Sequence, residues 1–249
     1  MNFKFPRILS GNALKIIAAI SMFIDHFGFM FFPRVQVFRI IGRLAFPIFA
    51  FMISEGAKYT KNKVRYLLSV FSVGLFCFAG YLVFNKTIVF SIFITFSFSL
   101  MMIFTLDEYK AVAFSPDASN ALKLTKFLLF AFSVAFSYVF CEIFTVDYGF
   151  TGCAAPLAAS IVTNLPEGAP ESLKKLDRLN IRVALFTLPL IILAVDLRLS
   201  QPFSLFSVPL LLLYSEKRGK LKLKYFFYVF YPLHLSVLEG VRWLIYSLK

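Results

Sequence analysis

Segments of about twenty mostly apolar residues recur from end to end of this 249-residue chain, separated by short polar connections. A run of that length crosses hydrocarbon as a helix, because a helix satisfies its own backbone N–H and C=O groups where water cannot. Composition points the same way. With 59% hydrophobic residues, 34 phenylalanines, 16% charged residues and a mean hydropathy of +0.79, the chain has more apolar surface than one water-soluble core can bury. The expected fold class is therefore all-α: one integral-membrane domain over residues 1–249, built as a polytopic transmembrane helical bundle. The net charge of +13 would suit nucleic acid. The basic residues, however, fall between apolar segments rather than in a stripe on a soluble domain, so membrane lipids and not nucleic acid are the expected partners.

Nine spans can be drawn: 10–32, 36–57, 65–84, 88–106, 124–145, 148–164, 182–197, 202–214 and 224–247. The seventh and eighth are the weakest, being shorter than a crossing helix. The alternative for residues Val183 to Tyr214 is a re-entrant pair or one bent element around Arg198 to Pro202, which gives an eight-span arrangement. The segment from Asp107 to Lys126 is expected to be a mobile cytoplasmic loop.

Lys and Arg are retained on the cytoplasmic side of a membrane. With the N-terminus inside, the internal flanks carry Lys4, Arg7, Lys58, Lys61, Lys63, Arg65, Lys110, Lys123, Lys126, Lys174, Lys175, Arg178, Arg182, Lys217, Arg218, Lys220, Lys222 and Lys224. The outer side carries only Arg34, Lys86, Arg198 and Lys249. That asymmetry supports a cytoplasmic N-terminus and leaves Lys15, Arg39, Arg43 and Arg242 inside spans. The first segment is longer than a signal-peptide core and is interrupted by Lys15, Asp25 and His26, so it reads as a retained span. Cys77, Cys141 and Cys153 are dispersed through apolar sequence with no CxxC pair, and read as small hydrophobes without a disulfide framework.

His26 and His234 are the only histidines, one in the first span and one in the last. An ionisable group at that depth is a candidate functional residue. Lys15 lies eleven positions before His26, about three helical turns, so both fall on one face with ~16 Å between them. Asp25 points about 100° away from His26, which makes an Asp–His dyad within this helix poor and sends Asp25 to another span. Arg39 and Arg43 share a helical face at a similar depth, and Asp147 stands at the outer start of the sixth span. The arginines are expected to pair with Asp25, with Asp147 or with an anionic ligand; a structural ion-pair lock fits Arg43 as well, and snorkelling to headgroups fits Arg39. Tyr231 precedes His234 by three residues, and Pro232 removes the helical bond to residue 228.

These residues sit in recognisable motifs. SGNALKIIAAISMFIDHFGFMFFP and FRIIGRLAFPIFAFMISEGAKYTKN resemble the N-terminal signature of the TraX family, membrane proteins associated with N-terminal acetylation of conjugative pilin. DYGFTG and KYFFYVFYPLHLSVL resemble later segments of that family. SIFITFSFSLM resembles its central segment, although Ser91 and Ser99 stand where the family usually has Asn and Gly. A basic residue eleven positions before a histidine is also similar to the broader superfamily of membrane acyltransferases that modify sugars, where the basic residue is usually Arg rather than Lys15.

The resemblance implies acetyl transfer from cytoplasmic acetyl-CoA to a peptide N-terminus, an envelope glycan or a small-molecule acceptor, in a multi-pass protein of the bacterial cytoplasmic membrane. His26 is then the general base, Asp25 or Asp147 its orienting acid, and Arg39 or Arg43 the group that stabilises the oxyanion or holds donor phosphates. Lys15 guides the anionic donor, while His234 and Tyr231 complete the acceptor side; Asp147 is a substrate-side candidate as well. The sequence has no GxSxG elbow, HExxH helix, HxxxxD motif or Gly-rich phosphate loop, and no metal is expected. A small proton-coupled transporter or channel is the alternative, since intramembrane His, Asp and Arg also build relays and gates.

Overall fold

The computed structural model describes residues 6–86, 88–196, 200–221 and 223–247. Lys4, Arg198, Lys222 and Lys249, used above in the charge asymmetry, lie outside the described residues. The architecture is all-α. In chain order the helices are α1 (Gly11–Phe31), α2 (Gln36–Gly42), α3 (Ala45–Tyr59), α4 (Lys63–Gly80), α5 (Ile92–Ala113), α6 (Asn120–Ile143), α7 (Gly149–Ser160), α8 (Glu171–Lys174), α9 (Leu179–Asp196), α10 (Ser207–Leu212) and α11 (Lys224–Ser247). A π-helical turn, Tyr81–Asn85, extends α4, and a 3-10 turn, Gln201–Phe206, precedes α10. The extended residues are two short strands, β1 (Val89–Phe90) and β2 (Thr145–Val146), paired in parallel.

Six segments among the described residues are long and apolar enough to cross a membrane unaided: Gly11–Phe31, Gln36–Tyr59, Lys63–Val83, Ile92–Ala113, Asn120–Ile143 and Leu179–Asp196. The eight or nine expected spans correspond to helical segments, but α7 and Gln201–Leu212 are each too short to span on their own. α11 is 24 residues long and carries Glu239 and Arg242. The seventh span is stronger than its sequence suggests. It begins at Leu179 rather than 182 because Arg182 is wholly buried against Glu55 instead of marking a solvated flank.

The loop expected from Asp107 to Lys126 shrinks to residues 114–119. α5 continues through Asp107 and Lys110, which are buried together at 2.8 Å, and Lys110 also donates to the carbonyls of Thr163 (2.6 Å) and Ser160 (3.1 Å). A buried charged pair whose lysine donates to carbonyls at and just beyond the C-terminal end of α7 does not have to leave the helix for water.

The second expected span is broken at Arg43 and Leu44. Pro47 has no N–H for the Arg43 carbonyl four residues back, so the helix restarts there.

The chain forms two compact units, residues 53–189 in one and the flanking segments 1–52 and 190–249 in the other. In the first of these, α5 is the central helix, with most of its length buried. Small residues let its neighbours approach: Ser99 donates to the Thr95 carbonyl within α5 (3.0 Å) and to the Cys153 carbonyl of α7 (2.9 Å). Ile94, Phe98, Met102 and Cys153 form the buried cluster around this contact. α4 and α6 expose most of their apolar side chains, as helices facing acyl chains do.

In the flanking-segment unit, α1 and α2 form a hairpin whose closeness depends on two glycines. A Cβ on Gly28 would stand 2.1 Å from the Phe38 Cβ, and one on Gly42 would stand 2.3 Å from Asp25. Gly28→Ala is expected to force the hairpin apart at a cost of about 1–3 kcal/mol, read as a lower thermal midpoint of the purified protein in detergent. A larger loss is not expected, since the apolar faces can still meet.

Candidate functional site

The site is built on α1, α2 and α11. Ser10 caps α1 through its hydroxyl, which accepts from the Ala13 N–H at 3.2 Å. The N–H groups of Gly11 and Asn12 donate to the carbonyls of Lys217 and Arg218, at 2.8 and 2.9 Å. The basic loop before α11 is thus fastened to the start of α1, and Asn12 Nδ2 adds a bond to the Leu221 carbonyl. Gly219 permits this approach: its φ is +93°, and a Cβ there would lie 2.8 Å from Ser10 Oγ. Lys217, Arg218 and Lys220 stay exposed.

Lys15 and His26 face α11, as their eleven-residue spacing predicts. Lys15 Nζ lies 5.9 Å from the Phe227 ring centroid, and His26 Nδ1 lies 2.7 Å from His234 Nε2. The two histidines of the chain are in direct contact. His234 Nδ1 is 2.8 Å from the carbonyl of Phe230, one turn back on α11, and the Phe230 ring stacks on the imidazole at 4.9 Å and 12°. α11 runs through Pro232 without interruption.

This geometry fixes the tautomers of a neutral pair. A carbonyl only accepts, so His234 carries its proton on Nδ1 and presents a lone pair at Nε2. His26 must then donate from Nδ1 to that lone pair, which leaves Nε2 of His26 as its basic nitrogen. Tyr231 is buried edge-on to both rings, at 6.4 Å from His26 and 5.7 Å from His234.

Asp25 turns away from His26 to Arg39, with Arg39 Nη1 to Asp25 Oδ2 at 2.8 Å. Arg39 also lies 5.3 Å from the Phe29 ring centroid. Arg43, at the break between α2 and α3, donates from Nε to Ser200 Oγ at 2.9 Å. Seven of the eight candidate residues, Lys15, Asp25, His26, Arg39, Arg43, Tyr231 and His234, therefore belong to the unit of the flanking segments. An apolar cleft of about 250 Å³ runs between α1 and α11, lined by Ile16, Ala19, Ile20, Leu221, Leu223, Phe226 and Phe230. It reaches from the basic loop to the residue that holds His234.

The eighth candidate, Asp147, is described with the unit of residues 53–189. Its carboxylate accepts the Ile92 N–H at 3.0 Å, capping α5 where Ser91 makes no side-chain cap, and its carbonyl accepts from Thr95 Oγ1 at 2.6 Å. Burial pushes this carboxyl up to about 6, against the lowering effect of the Ile92 bond. A raised carboxyl pKa means that the folded protein holds the proton more tightly than the unfolded chain. Its contribution is present below the ordinary value of 3.8 and is lost as pH rises to about 6. Melting curves in detergent are expected to fall over that window by on the order of 1 kcal/mol per pH unit, and Asp147→Asn should flatten this part of the profile.

Two elements of the site carry little sequence signal. The Phe230 carbonyl has no side-chain signature, and Ser200 looked like any turn serine. In the other unit, the fully buried Arg182 and Glu55 pair, with Arg182 Nε 4.0 Å from Asp177 and Lys58 2.9 Å from Asp177, so a charge run that looks like a solvated flank is a buried network. Among the described residues, no group of three or more His, Cys, Asp or Glu side chains is arranged to hold a metal.

Comparison with known proteins is consistent with these motifs. The chain is 40% identical over 57 residues to an uncharacterized protein of Rickettsia prowazekii, covering 23% of each. It is 36% identical over 62 residues to a probable fimbrial assembly protein, FimC of serogroup H1, from Dichelobacter nodosus, covering 23% of this chain and 25% of that one. The matches thus span about a quarter of those relatives' lengths. No solved structure matches. The TraX protein model matches residues 10–242, a stretch that contains every residue of the paired-histidine site, and the chain belongs to the TraX family.

Proposed function

We propose that this protein is a membrane-embedded acyltransferase that moves an acetyl group from acetyl-CoA to an amine or hydroxyl acceptor, with His26 as general base. The observation that carries the reading is the hydrogen-bonded series from the Phe230 carbonyl through His234 to His26, which aims the basic Nε2 of His26 away from His234. His26 takes the proton of the acceptor N–H or O–H as the acceptor attacks the thioester carbonyl. The tetrahedral oxyanion then collapses, the C–S bond breaks, and the thiolate leaves to be protonated as CoA.

Arg43 is the candidate that stabilises the oxyanion, through the guanidinium N–H groups other than the Nε–H given to Ser200. Arg39 acts through Asp25, fixing that carboxylate at the contact between α1 and α2. Donor phosphates suit Lys15 and the exposed Lys217, Arg218 and Lys220, and the apolar cleft along α1 leads from that loop toward the histidine pair. Tyr231 lies on the acceptor side. The family's association with pilin acetylation makes a peptide N-terminus one candidate acceptor; an envelope glycan and a small molecule are the others.

The test compares acetylated proteins and envelope glycans by mass spectrometry in cells carrying the intact protein or His26→Ala, alongside CoA release by the purified protein. An acetylated product and acceptor-dependent CoA release that vanish in the variant support the reading. Undiminished transfer removes His26 as base. Ion or solute flux in proteoliposomes without CoA release would instead mark a proton-coupled transporter.

A further inference from the structure

Cys141 and Cys153 are dispersed in sequence but adjacent in space. Their sulfurs are 3.9 Å apart, one on the last turn of α6 and the other in α7. We propose that these two thiols form a reversible disulfide that staples α6 to α7. The pair is asymmetric in a way that suits stepwise oxidation. Cys153 is fully buried among Ile94, Phe98 and Met102, and its carbonyl is held by Ser99, whereas Cys141, on the last turn of α6, is only partly buried. Closing the contact to a covalent bond takes a sulfur displacement of about 2 Å, within reach of side-chain rotation. The backbone between them is already turned back on itself by β2 and by the Asp147 bonds to α5, so little of the chain needs to move.

Compartment gives an independent argument. Both cysteines lie at the ends of α6 and α7 nearest Asp147, opposite the Lys123 and Lys126 end of α6. With basic connections inside, that end faces the extracytoplasmic side, where disulfides form and persist. The oxidant is a disulfide-bearing compound. The Cys141 thiolate attacks it to give a mixed disulfide and one released thiol. The Cys153 thiolate then attacks Cys141 Sγ and expels the second thiol. Two protein thiols lose two electrons and two protons, and one external disulfide is reduced to two thiols.

The full chain in detergent is treated with oxidised glutathione or with a reductant, denatured, and labelled with a maleimide polymer that adds a visible mass per free thiol. The reduced protein is expected to take three labels and the oxidised protein one, on Cys77. C77S should take none after oxidation and two after reduction, while oxidised C153S should stop at the mixed disulfide, taking one label on Cys77 with the glutathione adduct on Cys141 read by mass, and two labels after reduction. The oxidised wild type should also melt several degrees above the reduced form, a difference absent in C153S. Three labels on the oxidised wild type overturn the proposal. So do loss of label through a bond to Cys77, and a cross-linked dimer that disappears in C141S.

Discussion

His26→Ala, in protein shown to be correctly inserted, is expected to lower acetyl transfer by about 10²–10⁴-fold, the usual contribution of a positioned general base. His234 does not touch the acceptor proton in the proposed chemistry; it is a positioning residue. Its lone pair holds the His26 proton on Nδ1, and the Phe230 carbonyl holds its own proton in turn. His234→Ala removes that acceptor, allows His26 to carry its proton on Nε2, and should reduce kcat while leaving the donor KM nearly unchanged. His234→Gln offers an amide oxygen in the same region and should recover part of the loss. A structural role for His234 predicts something different: parallel loss of kcat and of thermal midpoint, with no rescue by Gln. Steady-state CoA release across the three variants separates the two.

The second large effect concerns stability. Arg182 is fully buried and its guanidinium meets the buried carboxylate of Glu55. Arg182→Met leaves Glu55 without its counter-charge and is expected to cost about 3–5 kcal/mol, read as loss of folded protein or a much lower midpoint in detergent. Replacing both partners with apolar residues of similar volume, Glu55→Leu with Arg182→Met, should return most of that stability, because both desolvated charges then disappear. Lys58 still neutralises Asp177 in the double variant. A double variant no better than the single one would show that the Arg182 site needs its charge for more than pairing.

Apolar runs and basic connections made the helical class legible, since both follow from the physics of one chain in hydrocarbon. α11 is helical from Lys224 to Ser247, the bounds of the last expected segment, although it is not one of the six segments among the described residues that are apolar enough to cross a membrane unaided. Helical phase also placed Lys15 and His26 on a shared face, and it correctly separated Asp25 from His26. The misreadings have one cause. Asp107, Lys110 and Arg182 read as flank or loop because charge in an apolar chain suggests water, yet a distant segment supplies each with a partner: Asn164 for Asp107, the Ser160 and Thr163 carbonyls for Lys110 and Glu55 for Arg182. The break at Arg43 was present in the sequence as Pro47 four residues later, a local signal.

The sequence alone determined the all-α class and most of the apolar helices and nominated the candidate residues, because hydropathy and helical period are properties of a segment by itself. Only the tertiary structure decided partners. It joined His26 to His234 across 208 positions, gave Arg39 rather than Arg43 the hydrogen-bonded pairing with Asp25, made Asp147 the cap of α5, and set Cys141 against Cys153. Pairing depends on how helices dock, and docking rests on contacts such as Gly28 against Phe38 and Gly42 against Asp25, whose partners no single segment contains.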